Sequence, residues 1–393
     1  MSARRLGAPV ALALLAVLPP SPAAAQEPPD TARPFVQGGI YDKPYLTTLL
    51  GRTALGGYAE AHARFERVDG VTEELGFLAK RFNLFTATRV SDFVRIAAEL
   101  EIEEGGEEIT LEFAAIDVIF HPSATLRAGM ILAPLGRFNL AHDSPQNDFT
   151  DRPLVSTELL GVALSEPGVG MVGTFPVGGS GGRLTYEVYA VNGFNEGILT
   201  GSADGVRIPA GAPTLEDDNA SPSAVGRVAW GPRIGWELGV SGHHGAYNVF
   251  EADGLEVDER RDLTILVADI EAEPSGLRIR GEAALASLDL PASLVGAFAE
   301  RQRGFYLEAV RDFGRGWVAT MPESYFSAGA RVDAVDFDAD RTGDSARQLT
   351  LAVDFRPTPD TALKLDYVRG HSFDRFNNRA DHAALLFSLA TYF

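Results

Sequence analysis

From Thr53 to Phe393, apolar and polar side chains alternate with a period of two. Successive side chains of an extended chain point to opposite faces, so this pattern gives each segment one apolar and one polar side. The clearest case is 94–103, where Val94, Ile96, Ala98, Leu100 and Ile102 share one face and Arg95, Glu99, Glu101 and Glu103 the other. Wound into a helix, the same residues would scatter their apolar groups around the circumference. The alternation recurs at 234–240, 277–282, 325–333 and 348–356. Between Thr110 and Phe120 the phase slips near Ala114 and Ala115, which predicts a β-bulge turning both Glu112 and Asp117 to the polar side.

About sixteen strands follow, near 53–66, 75–90, 93–103, 108–121, 124–133, 168–176, 183–192, 223–231, 234–245, 261–273, 276–286, 303–313, 324–336, 345–357, 360–371 and 382–393. Connections after even-numbered strands are mostly tight, as at Ser91-Asp92, Pro122-Ser123, Gly231-Pro232 and Pro274-Ser275. Those after odd-numbered strands are mostly longer, above all at 134–167 and 193–222. Short turns at one end and long loops at the other are the organisation of an outer-membrane barrel.

A soluble β-sandwich would alternate as well. Three features favour a barrel in lipid. The polar faces carry charges of both signs in mid-strand, while the apolar faces mix Ala and Gly with Leu and Val, as a surface that need not interlock allows. Aromatic residues gather toward strand ends, as in Phe305, Phe313, Tyr325, Phe326, Phe373 and Phe376, in the manner of interface girdles. Finally, the chain ends on a strand whose Phe387, Leu389 and Phe393, with Tyr392, resemble the signal read by the barrel-assembly machinery; Thr391 stands where another apolar residue is usual. After the first thirty positions there is no run of eighteen apolar residues, which excludes helical spans but not a barrel.

The first 25 residues read as a signal peptide. Arg4 and Arg5 precede an apolar stretch from Val10 to Leu18, a proline break at Pro19–Pro22, and the small residues Ala23-Ala24-Ala25. Residues 26–52 read as a Pro- and Gly-rich periplasmic lead-in and 53–393 as the barrel, placing the mature chain in the outer membrane of a Gram-negative-type bacterium. The sequence has no cysteine, so no disulfide framework supports the exported chain. Its net charge of −20 argues against nucleic-acid binding, which calls for basic patches.

The passage 127–139 places Arg127, Gly129, Pro134 and Gly136 in the spacing R-x-G-x-x-x-x-P-x-G. It resembles the strand-to-loop passage of the phosphate-selective porin O and P family. Residues 148–155 and 189–195 are similar to further segments of that family. The resemblance implies a transmembrane antiparallel barrel of sixteen strands, a homotrimer, and a long third loop folded inward to constrict the pore. The charge departs from it. Phosphate-selective members line their pores with basic residues, whereas the inward faces here are mixed: Arg278, Arg280, Arg331, Arg356 and Lys364 stand with Glu60, Glu101, Glu187, Glu237, Asp269, Glu282, Glu308, Asp354 and Asp366. Phosphate specificity is therefore not carried over.

Charge and width at the narrowest point set selectivity in such a pore. Arg64, Arg81, Arg89, Arg95 and Arg127 fall on the first five strands and predict a basic wall, with Glu99 beside it. The third loop carries Arg137, His142, Asp143, Asp151 and Arg152, and its acidic groups facing that wall would set up a transverse field that orients passing solutes. The expected function is passive diffusion of small polar or ionic solutes, with lipopolysaccharide and outer-membrane lipid as surroundings. A non-conducting structural or adhesion barrel is the first alternative, since the inward charges could all pair. A barrel enzyme is the second. His142-Asp143-Ser144 suggests it, but neighbours in a loop do not make a triad and no G-x-S-x-G elbow accompanies them. The carboxylate-rich segments 103–108 and 251–259 read as solvated loop tips, with binding of Ca²⁺ or Mg²⁺ to bridge lipopolysaccharide phosphates as the alternative. His243 and His244 point to opposite faces, which argues against a shared metal. No catalytic set, metal ligand set or cofactor motif is assigned. A TonB-dependent transporter would need more strands and a plug domain than the chain has room for.

Overall fold

The computed structural model describes residues 40, 43, 53–178, 181–212, 217 and 219–393. The expected signal peptide lies outside them, as does the lead-in apart from Ile40 and Lys43. The wall opens with β1 (Thr53–Val68), β2 (Val71–Arg89), β3 (Val94–Glu103), β4 (Glu108–His121), β5 (Ala124–Leu132) and β6 (Ser165–Pro176). It continues through β7 (Arg183–Val191), β8 (Ser223–Gly231) and β9 (Trp236–Ala246). A small hairpin, β10 (Glu251–Ala252) with β11 (Leu255–Glu256), stands apart in the next loop and was not foreseen. The remaining strands are β12 (Asp262–Ala272), β13 (Leu277–Leu288), β14 (Arg301–Phe313), β15 (Tyr325–Asp336), β16 (Ser345–Thr358), β17 (Thr361–Phe373) and β18 (Arg379–Tyr392). The sixteen wall strands form one closed, all-antiparallel barrel, as the alternation predicts.

Closure removes every sheet edge, which lipid would otherwise leave without hydrogen-bond partners. The seam runs from Tyr58 opposite Tyr392 to Val68 opposite His382. It is extended by Gly57 N donating to Phe393 O (3.2 Å) and Phe393 N donating to Gly57 O (3.0 Å). Glycine is required there: a Cβ on Gly57 would lie 2.3 Å from the Asn83 carbonyl and 2.4 Å from the Phe393 ring. That space lets Phe393 stack on Phe82 with centroids 5.3 Å apart.

The barrel is apolar outside and polar inside. On β16, Leu349, Leu351 and Val353 are exposed on the outer surface, while Thr350, Ala352 and Asp354, which alternate with them, are buried on the inner side. A protein that buried its apolar face would invert this, so the outer band suits hydrocarbon. Near the 314–324 turn, Phe313, Trp317, Phe326 and Phe355 pack as a chain of rings with centroids 5.0–6.2 Å apart.

Several boundaries differ from the sequence reading for local reasons. β2 starts at Val71 rather than 75, because the polar pair Glu73-Glu74 masks the alternation there. With β1 it forms a tall hairpin turned by Asp69 and Gly70, whose φ angles of +49° and +82° fit a two-residue turn of the primed kind. This connection and 104–107 are short where the odd-numbered rule expects length. β6 starts at Ser165 rather than 168, since Ser165, Glu166 and Pro167 pair with Leu132, Ile131 and Met130. The bulge lies two residues before the expected site. The register steps from Glu99–Phe113 to Leu100–Leu111, leaving Glu112 unpaired, and both Glu112 and Asp117 are buried inside.

Candidate functional site

Residues 133–164 leave β5 and turn into the lumen rather than away from the barrel. Asn139 staples the two ends of this third loop: its Nδ2 donates to Ala133 O (2.8 Å) and Leu164 O (3.0 Å), and its Oδ1 accepts from Leu164 N (2.9 Å). On one side Leu135, Val155, Leu159 and Leu160 bury themselves with Ile131, Tyr189, Leu263 and Ile265, filling that part of the interior with apolar packing.

The loop's other edge crosses to the far wall, where it is held by hydrogen bonds to charged groups. Lys364 Nζ donates to Ser144 O (2.8 Å) and Phe149 O (3.3 Å). Arg356 donates to Pro145 O (2.7 Å) and Asn147 O (3.2 Å), and Arg331 to Asp151 O (2.9 Å). In the opposite sense, Thr150 N donates to Asp366 (2.6 Å) and Leu154 N to Asp333 (3.1 Å). Asp148 is the loop's central charge. Arg278 lies 2.8 Å and Arg356 3.1 Å from its Oδ1, with Arg280 4.0 Å from its Oδ2. Burial pushes the Asp148 carboxyl up, but Arg278, Arg356, Arg280 and Lys364 outweigh it and hold it below the usual carboxylate range.

The wall made by β1–β4 has the opposite character. Glu60, Glu99, Glu101 and Glu112 project inward and are buried. Asn83 Nδ2 donates to Glu99 and Glu101, both at 2.8 Å. Carboxylates removed from water this far require positive partners, and three are near. Arg81 lies 3.2 Å from Glu60 and 3.0 Å from Glu103. His142 of the third loop stands 2.7 Å from Glu112, and Lys43 of the lead-in 2.8 Å from Glu99. Burial alone would lower the His142 imidazole; Glu112 prevails and raises it to about 9, so it is charged at neutral pH.

The sequence-predicted residues divide by place. Arg64 meets Asp151 on the long-loop side. Arg127 pairs with Asp117 through Nε (2.8 Å) and Nη2 (2.9 Å), and Arg137 with Glu271 and Glu237. Arg89 is exposed at the short-turn mouth, 2.6 Å from Asp92 in its own turn, and Arg95 sits opposite it, half-buried. The basic wall expected on the first five strands is therefore corrected: those arginines are present, but carboxylates on the same faces outnumber and neutralise them. Asp143 and Asp151 face Lys43 and Arg64, so the loop acid facing a basic cluster is Asp148, and that cluster lies on β13, β15, β16 and β17.

His142, Asp143 and Ser144 point to three different partners. His142 reaches Glu112, Asp143 reaches Lys43 and Tyr392 Oη (2.9 Å), and Ser144 Oγ donates to Glu60 (2.5 Å). No nucleophile–base pair forms among them. Phe387, Leu389 and Phe393 lie on the outer surface, but Tyr392 turns inward toward Asp143 and Tyr58. His243 is buried 3.6 Å from Glu166, and His244 is on the outside. Among the described residues no group of three or more His, Asp and Glu is arranged to hold a metal ion. Lys43 and Asn139 escaped the sequence reading: neither belongs to the alternating pattern, Lys43 meets Glu99 and Asp143 only in the folded lumen, and Asn139 finds its partners at the two ends of its own loop.

Between the third loop and the walls a cavity of about 20 Å³ remains, bordered by Arg81, Asp148, Arg152, Glu308 and Arg331. It has room for about one water molecule. Arg152 Nη2 is buried there without a hydrogen-bond acceptor.

The sequence matches no family model. A protein of Aquifex aeolicus (strain VF5) described only as uncharacterized is 26% identical over 360 residues, covering 84% of this chain and 79% of that one. Among solved structures, the chain is similar to the anion-selective porin from Comamonas acidovorans (10% identity, TM-score 0.55, 87% of this chain and 99% of that chain). It is also similar to Salmonella typhi OmpF (12%, 0.53, 87% and 98%) and to the outer membrane channel DcaP of Acinetobacter baumannii (11%, 0.52, 88% and 99%). At these identities the likeness is one of fold, and the fold is the sixteen-stranded barrel of the porins.

Proposed function

We propose that this chain is an outer-membrane diffusion channel that passes small polar or ionic solutes through a narrow, charge-lined gap beside its third loop. The observation that carries this reading is the lumen itself. It is lined by charged groups of both signs and crossed by a loop that narrows it without sealing its two ends; Arg64 and Asp151 on one side and Arg278 and Asp312 on the other retain contact with solvent. Arg81, Asp148, Arg152, Glu308 and Arg331 border this gap, with Asp143, His142 and Glu99 bracing the loop behind it and Arg137 held apart from it by Glu271 and Glu237. The spacing at 127–136 supports kinship with the phosphate-selective O and P porins, but the paired cations of the lumen do not support phosphate specificity. Export by cleavage of residues 1–25, assembly through Phe387, Leu389 and Phe393, and a trimeric state belong to the same proposal. The trimer form of Vibrio cholerae OmpT, a barrel of similar fold, supports the last of these (11% identity, TM-score 0.53).

Purified protein added to planar lipid bilayers should give discrete, small conductance steps with ion selectivity. One observation favours a second reading, a non-conducting structural barrel: Asn83, Glu99 and Asp366 in the lumen are fully buried, as in a packed interior. Absence of steps from protein that shows heat-modifiable migration would decide for it.

A further inference from the structure

One cation in the lumen belongs to no strand and no loop between strands. Lys43 lies in the lead-in, yet its side chain is only 6% exposed and its ammonium sits 2.8 Å from Glu99 Oε2 and 2.5 Å from Asp143 Oδ1. Two aromatic faces cover it, Phe85 at 5.4 Å and Phe113 at 5.9 Å from nitrogen to ring centroid, inside the range of cation–π attraction. Phe113 reaches inward because the bulge at Glu112 shifts the phase of β4. Each carboxylate is held from behind, Glu99 by Asn83 Nδ2 at 2.8 Å and Asp143 by Tyr392 Oη at 2.9 Å. The described residues that form the box around Lys43 thus come from β2, β3, β4, β18 and the third loop.

A cavity with two oriented carboxylates and two aromatic faces suits a compact ion that donates several N–H bonds. A quaternary ammonium has no N–H to give, and a guanidinium is planar and wider than the ammonium for which these groups are placed. We propose that this is a primary-ammonium binding site, which Lys43 fills as a tethered ligand and which a soluble alkylammonium ion takes when Lys43 is removed. The inference concerns binding and does not depend on the pore being open.

The test uses full-length protein folded in detergent micelles. Lys43→Ala empties the site, and n-propylammonium supplies the missing end of the side chain. A ligand that binds the folded state alone raises its stability by mass action. Millimolar n-propylammonium should therefore raise the melting temperature of Lys43→Ala by several degrees, leave wild type unchanged, and have no effect on Lys43→Ala/Glu99→Gln. Tetramethylammonium should do nothing to any of them. No shift in Lys43→Ala, or an equal shift in all three proteins, would overturn the site. Should Lys43→Ala not fold, limited acetylation of wild type reads the same contact: Lys80 should react at least tenfold faster than Lys43, and equal rates would overturn it. Both readouts stand if bilayer recording finds no channel, so failure of the site and failure of the channel reading are told apart.

Discussion

The two walls that face each other across the lumen solve opposite problems with the same loop. The β1–β4 wall offers buried carboxylates, and the third loop answers with a side chain, His142, while the lead-in adds Lys43. The β13–β17 wall offers Arg278, Arg280, Arg331, Arg356 and Lys364, and the loop answers mainly with main-chain carbonyls and one carboxylate, Asp148. A carbonyl solvates a cation without cancelling its charge; on the basic wall most of the cancelling is done by the wall's own carboxylates, Asp312 at Arg278, Glu308 at Arg280 and Asp333 at Arg331. Buried carboxylates accept full ion pairs, so the acidic wall is close to neutral. The difference teaches that charge counts along strands do not locate the field in this barrel. What matters as well is what the loop itself brings: side-chain cations to one wall, and main-chain dipoles with a single carboxylate to the other.

The largest effect should come from removing the carboxylate that the loop brings to the basic wall. In Asp148→Ala, Arg278 and Arg356 lose their shared carboxylate in a buried setting. Breaking such a pair costs about 3–5 kcal/mol, and the folded band should convert to the unfolded form at markedly lower temperature in heat-modifiability gels. If Asp148→Ala is as stable as wild type, the carbonyls alone suffice and the contrast between the walls is wrong.

The acidic wall should respond to pH through the third loop. The His142 imidazole rises to about 9 in the folded chain through Glu112, from an unfolded value near 6.5. A group raised in this way stabilises fully below its unfolded pKa and loses that contribution as pH climbs through the folded value. The shift is worth roughly 3 kcal/mol. Wild type should therefore be more stable than Glu112→Gln below about pH 6.5, with the difference shrinking to little above pH 9. Melting curves of both proteins across that range measure it. A difference that grows with pH would mean that His142 is neutral in its pocket and the wall is balanced in another way.

The parts of this arrangement legible in the sequence are those set by neighbours along the chain. The period-two phase places Lys364 and Asp366 inside, where both are found buried, and the slip before Ala114 foretells that Glu112 and Asp117 share a side. The inward length of the third loop is legible in the same way, as a long connection after the fifth strand. Partnership is not. Asp148 and Arg356 are 208 residues apart and Lys364 and Ser144 are 220 apart, and their meeting depends on the closure of the whole wall. The error about a basic first wall has the same root. Arg64, Arg81 and Arg127 were placed on the correct face, but the field depends on Glu60, Glu99, Glu101 and Glu112 reaching the same space. The place of Lys43 could not be read at all, since nothing in a Pro- and Gly-rich segment marks one lysine as a ligand for a box built from four strands and a loop.

Smaller effects separate the gap from its mouth. Arg152 Nη2 is buried at the gap without an acceptor, so Arg152→Ala breaks no pair. Its stability should stay within about 0.5 kcal/mol of wild type, the range for a substitution that breaks no buried contact. Reversal potentials should nevertheless shift toward cations, because a positive charge leaves the gap proposed as the constriction. Arg89→Ala is the counterpart at the short-turn mouth. Arg89 is more than half exposed and pairs only with Asp92 in its own turn, an arrangement worth little in water. Reversal potentials across a salt gradient should match wild type, because solvent screens a charge at the mouth before it reaches the gap. If Arg89→Ala moved the reversal potential as far as Arg152→Ala, the rim would share in selectivity, and the field would have to be assigned to the barrel as a whole rather than to the gap beside the third loop.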